Sequence, residues 1–153
     1  MSDVAGIYAH ELPPLDRYVQ LGIAQGRVIS VDFPREPESD ATEAHELLDR
    51  IEAYFGGTED NFEDVTIALT LPTDQQAVLE QVQMVPYGET IRVERLTRMV
   101  AGLDPDEEAD QRTVRDALTV NPAALLIPDH RIRDGPSAAP ADVAAAMRAV
   151  EGL

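Results

Sequence analysis

The sequence predicts an α/β N-terminal lobe joined to a mainly helical C-terminal lobe that carries a helix-turn-helix. Three observations lead there. β-Branched and aromatic runs flank a glycine turn near the start, one amphipathic helix follows them, and beyond residue 72 helical apolar spacing recurs between Pro and Gly breaks. With 153 residues and 44% hydrophobic content, the chain suffices for one domain or two small lobes sharing an interface, and it shows no internal repeat.

Residues 18–24 and 28–33 read as strands, separated by Gln25-Gly26-Arg27, a hairpin turn in which Gly26 supplies the tight backbone. After a polar loop over 34–39, Leu47, Leu48, Ile51, Tyr54 and Phe55 form the stripe of a helix that packs on the sheet and stops at Gly56-Gly57. Residues 65–71 predict a further strand, and Pro72 marks the boundary between lobes 1–72 and 73–153. Thr73 and Gln76 predict a capping box for a helix reaching about Met84 and burying Ala77, Val78, Val82 and Val85. Pro86-Tyr87-Gly88-Glu89-Thr90 breaks it. Thr90 is expected to cap the next helix, whose apolar face is Ile91, Leu96, Met99 and Val100 and which Gly102 stops. An acidic loop over 104–110 leads to a third helix over about 111–119; together these two helices read as the helix-turn-helix. Residues 125–127 predict a buried strand, and an alanine-rich helix over 142–150 closes the chain.

There are 29 acidic residues against 12 basic, a net charge of −17, and every basic residue is arginine. That is the pattern of a halophile, whose acidic surfaces stay hydrated in salt that cuts the screening length to about 3 Å at 1 M. At ordinary ionic strength the same balance argues against nucleic acid, which usually meets a basic footprint. No cysteine is present, which removes disulfides and thiolate metal sites, and His10, His45 and His130 are too far apart in sequence for a ligand cluster. No metal and no cofactor are expected. No run of about 18 apolar residues occurs, and residues 1–8 lack the basic and apolar regions of a signal, so a cytoplasmic protein is expected.

The segment Asn121-Pro122, an apolar run to Ile127-Pro128, then Asp129-His130-Arg131 resembles the active-site segment of the 6-O-alkylguanine-DNA alkyltransferases, the methylated-DNA–protein-cysteine methyltransferases. There the motif is Asn-Pro, a short apolar run, and Pro-Cys-His-Arg; here Asp129 stands in place of the cysteine. Pro86-Tyr87-Gly88-Glu89-Thr90, Arg112 ahead of Val114, Glu151-Gly152 and Tyr54-Phe55-Gly56-Gly57 match as well. The likeness covers the layout of the chain, and its specific motifs lie between Thr73 and Gly152. It implies a small ribonuclease H-like sheet with a helix as the N-terminal lobe, and a DNA-binding C-terminal lobe holding a remnant site of Asp129, His130, Glu151 and Asn121. It places Arg112, Tyr87, Thr90, Arg115 and Arg131 at DNA, Arg112 filling the space a flipped nucleotide leaves; the bland alternatives are a buried Arg131–Glu151 pair and a hydrogen-bonded core His130. His130 and Glu151 resemble the pair that activates the family's thiol, and Asn121 an Asx turn into the active-site segment.

Two departures matter. Val93 stands where the family has a tyrosine that contacts the DNA backbone, and 135–140 lacks the family's glycine-rich binding loop. With no thiolate, irreversible alkyl acceptance at cysteine is chemically excluded. Three readings remain: an alkyltransferase-like protein that flips a base without alkyl transfer, an interaction module that no longer binds DNA, and a dealkylase in which Asp129 attacks an alkyl carbon. The partners the first implies are duplex DNA with an alkylated or otherwise damaged base and another repair protein, met by a monomer.

Overall fold

A computed structural model describes residues 6–153. Strands β1 (Gly6–Leu12), β2 (Arg17–Ala24) and β3 (Arg27–Asp32) form an antiparallel sheet in the order β1-β2-β3. The β2–β3 hairpin turns at Gln25 (φ 53°) and Gly26 (φ 72°), two consecutive left-handed residues whose twist matches that of the flanking strands. β1 was not anticipated; its residues alternate only weakly, and Leu12, Ala9 and Tyr8 are the ones it buries.

Helix α1 (Glu46–Phe55) starts where Nδ1 of His45 accepts the Leu47 N–H at 3.0 Å, and it buries Leu47, Leu48, Ile51 and Tyr54. Residues 65–71 do not form the expected strand. They touch the sheet through one parallel bridge, Val28 with Ile67, because the outer edge of the six-residue β3 is shared: Val28 bonds to Thr66 and Ala68, while the Val31 N–H donates to the Pro122 carbonyl. Neither partner finds room to extend.

Helices α2 (Thr73–Val82), α3 (Val93–Met99) and α4 (Glu108–Thr119) pack against one another, and α5 (Ala141–Glu151) packs on α1. Both expected caps are replaced. Thr73 lies inside α2, whose cap position is Pro72, and Gln76 donates through its side chain to the Leu71 carbonyl instead. Thr90 lies three residues ahead of α3; the Val93 N–H is held by Oδ1 of Asp134 at 2.7 Å, a cap from 41 residues away. Helix α4 begins three residues earlier than expected, since Glu108 and Asp110 suit the positive end of the helix. Apolar side chains from the sheet and all five helices form one continuous core. No helix among the described residues is long and apolar enough to cross a membrane.

Candidate functional site

Residues 121–132 are almost wholly buried, yet 125–127 is not a strand. Leu125 takes φ 87°, and the Ile127 N–H folds back to the Ala123 carbonyl at 2.8 Å. Asn121 fixes that fold from both ends of its amide: Oδ1 accepts from the Ala123 N–H, and Nδ2 donates to the Ile127 carbonyl at 3.0 Å and to Oδ2 of Asp129 at 3.1 Å.

Asp129 opens the short 3-10 turn Asp129–Arg131 and is fully buried. Its Oδ1 accepts from the Ser137 hydroxyl at 2.6 Å, and Oδ2 accepts from the Ala138 N–H at 2.8 Å as well as from Asn121. Burial pushes its carboxyl up, against the pull of these donors and of His130. Ser137 and Ala138, in the loop after Gly135, therefore lie against the two Asp129 oxygens. Attack on an alkyl carbon, or hydrogen bonding to a base, needs an accessible carboxylate oxygen, and here both oxygens face the chain's own donors. In this arrangement neither Asp129 oxygen is open to an alkyl carbon, as the dealkylase reading requires.

Glu151 gathers the second half of the site. Its Oε1 accepts from Arg131 Nε (2.8 Å) and the Gly88 N–H (3.0 Å); Oε2 accepts from the Tyr54 hydroxyl (2.5 Å), His130 Nε2 (2.6 Å) and an Arg131 terminal nitrogen (3.0 Å). Gly88 presents its N–H from a left-handed φ of 80°. Burial raises the Glu151 carboxyl, and the hydrogen bonds from His130, Arg131, Tyr54 and Gly88 outweigh it, bringing it down to about 2. The Tyr54 hydroxyl is pushed up, by burial first and then by this carboxylate. With Glu151 ionised, His130 donates to it through Nε2, while its Nδ1 is buried and has no hydrogen-bond partner among the described residues.

The structure thus brings Asp129, His130, Glu151 and Asn121 into adjacent buried networks, and it turns two residues expected at DNA inward. Arg131 is 3% exposed and spends its donors on Glu151, the Val85 carbonyl and Asn61. Tyr87 is half-buried, bonded to the Val150 carbonyl, with the Arg131 guanidinium 5.7 Å from its ring centre. Arg112 and Arg115 stand exposed on α4, as does Asp116, and Arg115 donates to the Asp134 carbonyl at 2.9 Å. Thr90 is half-buried in a surface concavity with Arg92, Arg95 and Arg133. Sequence reasoning missed Tyr54, Asn61, Ser137 and Asp134 as contributors. Only Tyr54 carried a signal, through the Tyr-Phe-Gly-Gly motif. Among the described residues no group of three or more acidic or histidine side chains is arranged to hold a metal.

No family model matches the sequence. The chain is 35% identical over 101 residues to a DNA base-flipping protein of Thermus thermophilus, and 28% identical over 109 residues to a methylated-DNA–protein-cysteine methyltransferase of Metallosphaera sedula. Those stretches cover 65% and 69% of this chain, and 64% and 65% of the relatives, so the match spans just under two thirds of their length. Among solved structures, Mycobacterium tuberculosis OGT in complex with DNA superposes with a TM-score of 0.67 at 21% identity, over 90% of this chain and 97% of that one. The two share a fold.

Proposed function

The chain belongs to the 6-O-alkylguanine-DNA alkyltransferase family and has no cysteine, and from that premise we propose that it recognises damaged duplex DNA without accepting the alkyl group. The observation that carries this is the distribution of arginine. Arg17, Arg35, Arg50, Arg98 and Arg131 sit on carboxylates at 2.8–3.5 Å. Arg95, Arg112 and Arg133 have no carboxylate partner among the described residues, Arg115 bonds only to a backbone carbonyl, and Arg92 is 4.0 Å from Asp134. Arg27 on β3 and Arg148 on α5 also lack a carboxylate among the described residues, but they stand singly; the other five of these seven lie at the start of α3 and on it, on α4 and just after Arg131, and in a chain with 29 acidic residues that concentration sets those elements apart for an anion. The relative named as base-flipping supports the same reading.

In this reading α3 and α4 act as a helix-turn-helix and Arg112 enters the duplex, its planar guanidinium stacking where a nucleotide is displaced. A displaced base reaches Asp129 only if the 134–140 loop moves, so insertion and duplex shape supply most of the recognition. The lobes 1–72 and 73–153, a ribonuclease H-like character for the first, a monomeric cytoplasmic protein, a halophilic setting and hand-over to another repair protein complete the proposal.

Fluorescence anisotropy with duplexes that do or do not contain an alkylguanine tests it, with 2-aminopurine beside the lesion to report unstacking. Binding that favours the lesion duplex, with a rise in 2-aminopurine emission, is expected. No binding to either duplex at any salt concentration overturns the proposal and leaves the interaction module.

A further inference from the structure

Thr90, Ile91, Arg92, Glu94, Arg95 and Arg133 line a concavity of about 260 Å³, ample for a tetrahedral anion. Its walls are held by backbone. The Ile91 N–H donates to the Arg131 carbonyl at 3.0 Å and the Arg133 N–H to the Ile91 carbonyl at 2.8 Å, so the segments bearing Arg92 and Arg133 run side by side as a parallel bridge. Asp134 ties them to the start of α3 through the Val93 N–H. Glu94, the one carboxylate on the lining, is engaged by Arg98 at 3.0 Å. Arg95 and Arg133 are left with no carboxylate, and Arg92 with one at 4.0 Å. Like charges held beside one another repel, and an anion seated between them removes that cost.

We propose that this concavity is a seat for a phosphodiester group of duplex DNA, with Arg95 and Arg133 as its charged donors and Arg92 and Thr90 at its rim. The inference rests on the DNA-binding reading above and adds a contact to it. The seat continues through Asp134 to Arg115, and one turn further along α4 to Arg112, so a single strand passing along α4 lays its backbone into it.

The test compares Arg95→Gln, Arg133→Gln and the double variant with Arg27→Gln, an exposed and unpaired arginine on β3 that carries the same charge change. Binding to lesion and undamaged duplexes is measured by anisotropy from low to molar potassium chloride. Each seat variant is expected to weaken both duplexes equally, by about three- to tenfold at low salt, and the double variant to reduce the salt slope by about 0.9, the value of one neutralised phosphate. Arg27→Gln should match wild type. If the seat variants behave like Arg27→Gln while wild type binds duplex, the seat is wrong and the DNA reading stands. If wild type binds no duplex, both fail. Protection of wild type against heat by inorganic phosphate, with duplex affinity unchanged in the double variant, also overturns the proposal by assigning the concavity to the free ion.

Discussion

The Ser137 hydroxyl donates to Oδ1 of Asp129 at 2.6 Å. With the Ala138 N–H and the Asn121 amide, that bond makes the residue at the nucleophile's position into the anchor of the loop that follows it. A carboxylate has two acceptor oxygens where a thiol has one weak sulfur acceptor, so it can hold several donors at once. The same bonds that satisfy Asp129 close the approach to it.

Alkyl transfer should therefore be absent. Incubated with an oligonucleotide containing an alkylated guanine, the protein should show no added alkyl mass by intact-mass spectrometry, and the guanine should not be restored. Asp129→Cys should not restore transfer, because Val93 and the 135–140 segment, which lacks the family's glycine-rich loop, would still misplace the base even with the loop's anchor gone. Efficient transfer by that single variant would show that neither departure matters to the placement of the base.

Asp129→Ala should destabilise the fold by about 1–3 kcal/mol, chiefly by taking the acceptor away from the buried Asn121 amide and, at the loop, from the Ser137 hydroxyl and the Ala138 N–H. Hydrogen exchange should speed up at Ala138 and Ala139 while the α1 amides stay protected. An unchanged melting temperature with unchanged exchange would mean that Asp129 does not anchor the loop.

Much of this was legible in the sequence, for identifiable reasons. The hairpin at Gln25-Gly26 and the α1 stripe were visible because their signals are local: a left-handed turn and a repeat of three to four residues. Asn121 was legible as an Asx turn for the same reason. The strands expected at 65–71 and 125–127 failed because strand formation depends on an available edge and on a backbone that stays extended. β3 offers only part of its edge to each, and Leu125 breaks the second with a positive φ. The cap on α3 was invisible because Asp134 lies 41 residues from Val93. Arg131 read both as a DNA contact and as a buried partner of Glu151 because a sequence motif names a residue without saying which way its side chain turns; burial beside Glu151 decides for the pair.

The Glu151 cluster fixes a pH dependence. Its folded value is about 2 against an ordinary 4.5, so its contribution is fully present above about 4.5 and is lost as the pH falls from there towards 2. Asp129 acts in the opposite sense, since burial holds its carboxyl above its ordinary value and its stabilisation is lost as the pH rises through that folded value. Comparing wild type with Glu151→Gln cancels the Asp129 contribution. At neutral pH the variant should be less stable by about 3–5 kcal/mol, the cost of leaving Arg131 buried without its counter-charge. The gap should narrow as melts are repeated down through that acidic range. A gap that stays constant would show that Glu151 titrates near its ordinary value.

Arg112 is where recognition and stability separate. It is exposed on α4 and unpaired, so Arg112→Ala should leave the melting temperature nearly unchanged. If it stacks within the duplex, its removal should cost about 1–3 kcal/mol of binding. A stacked guanidinium works mainly through contact and a backbone contact through released counterions, so the two are told apart by salt. Arg112→Ala should weaken binding to the lesion duplex more than to the undamaged one, reduce the 2-aminopurine signal and leave the salt slope close to that of wild type. With a chain of net charge −17, the wild-type slope should itself be shallow, reflecting about one to three phosphate contacts. A variant that loses affinity equally for both duplexes, with a slope lower by about 0.9, would make Arg112 a phosphate contact and remove insertion from the account.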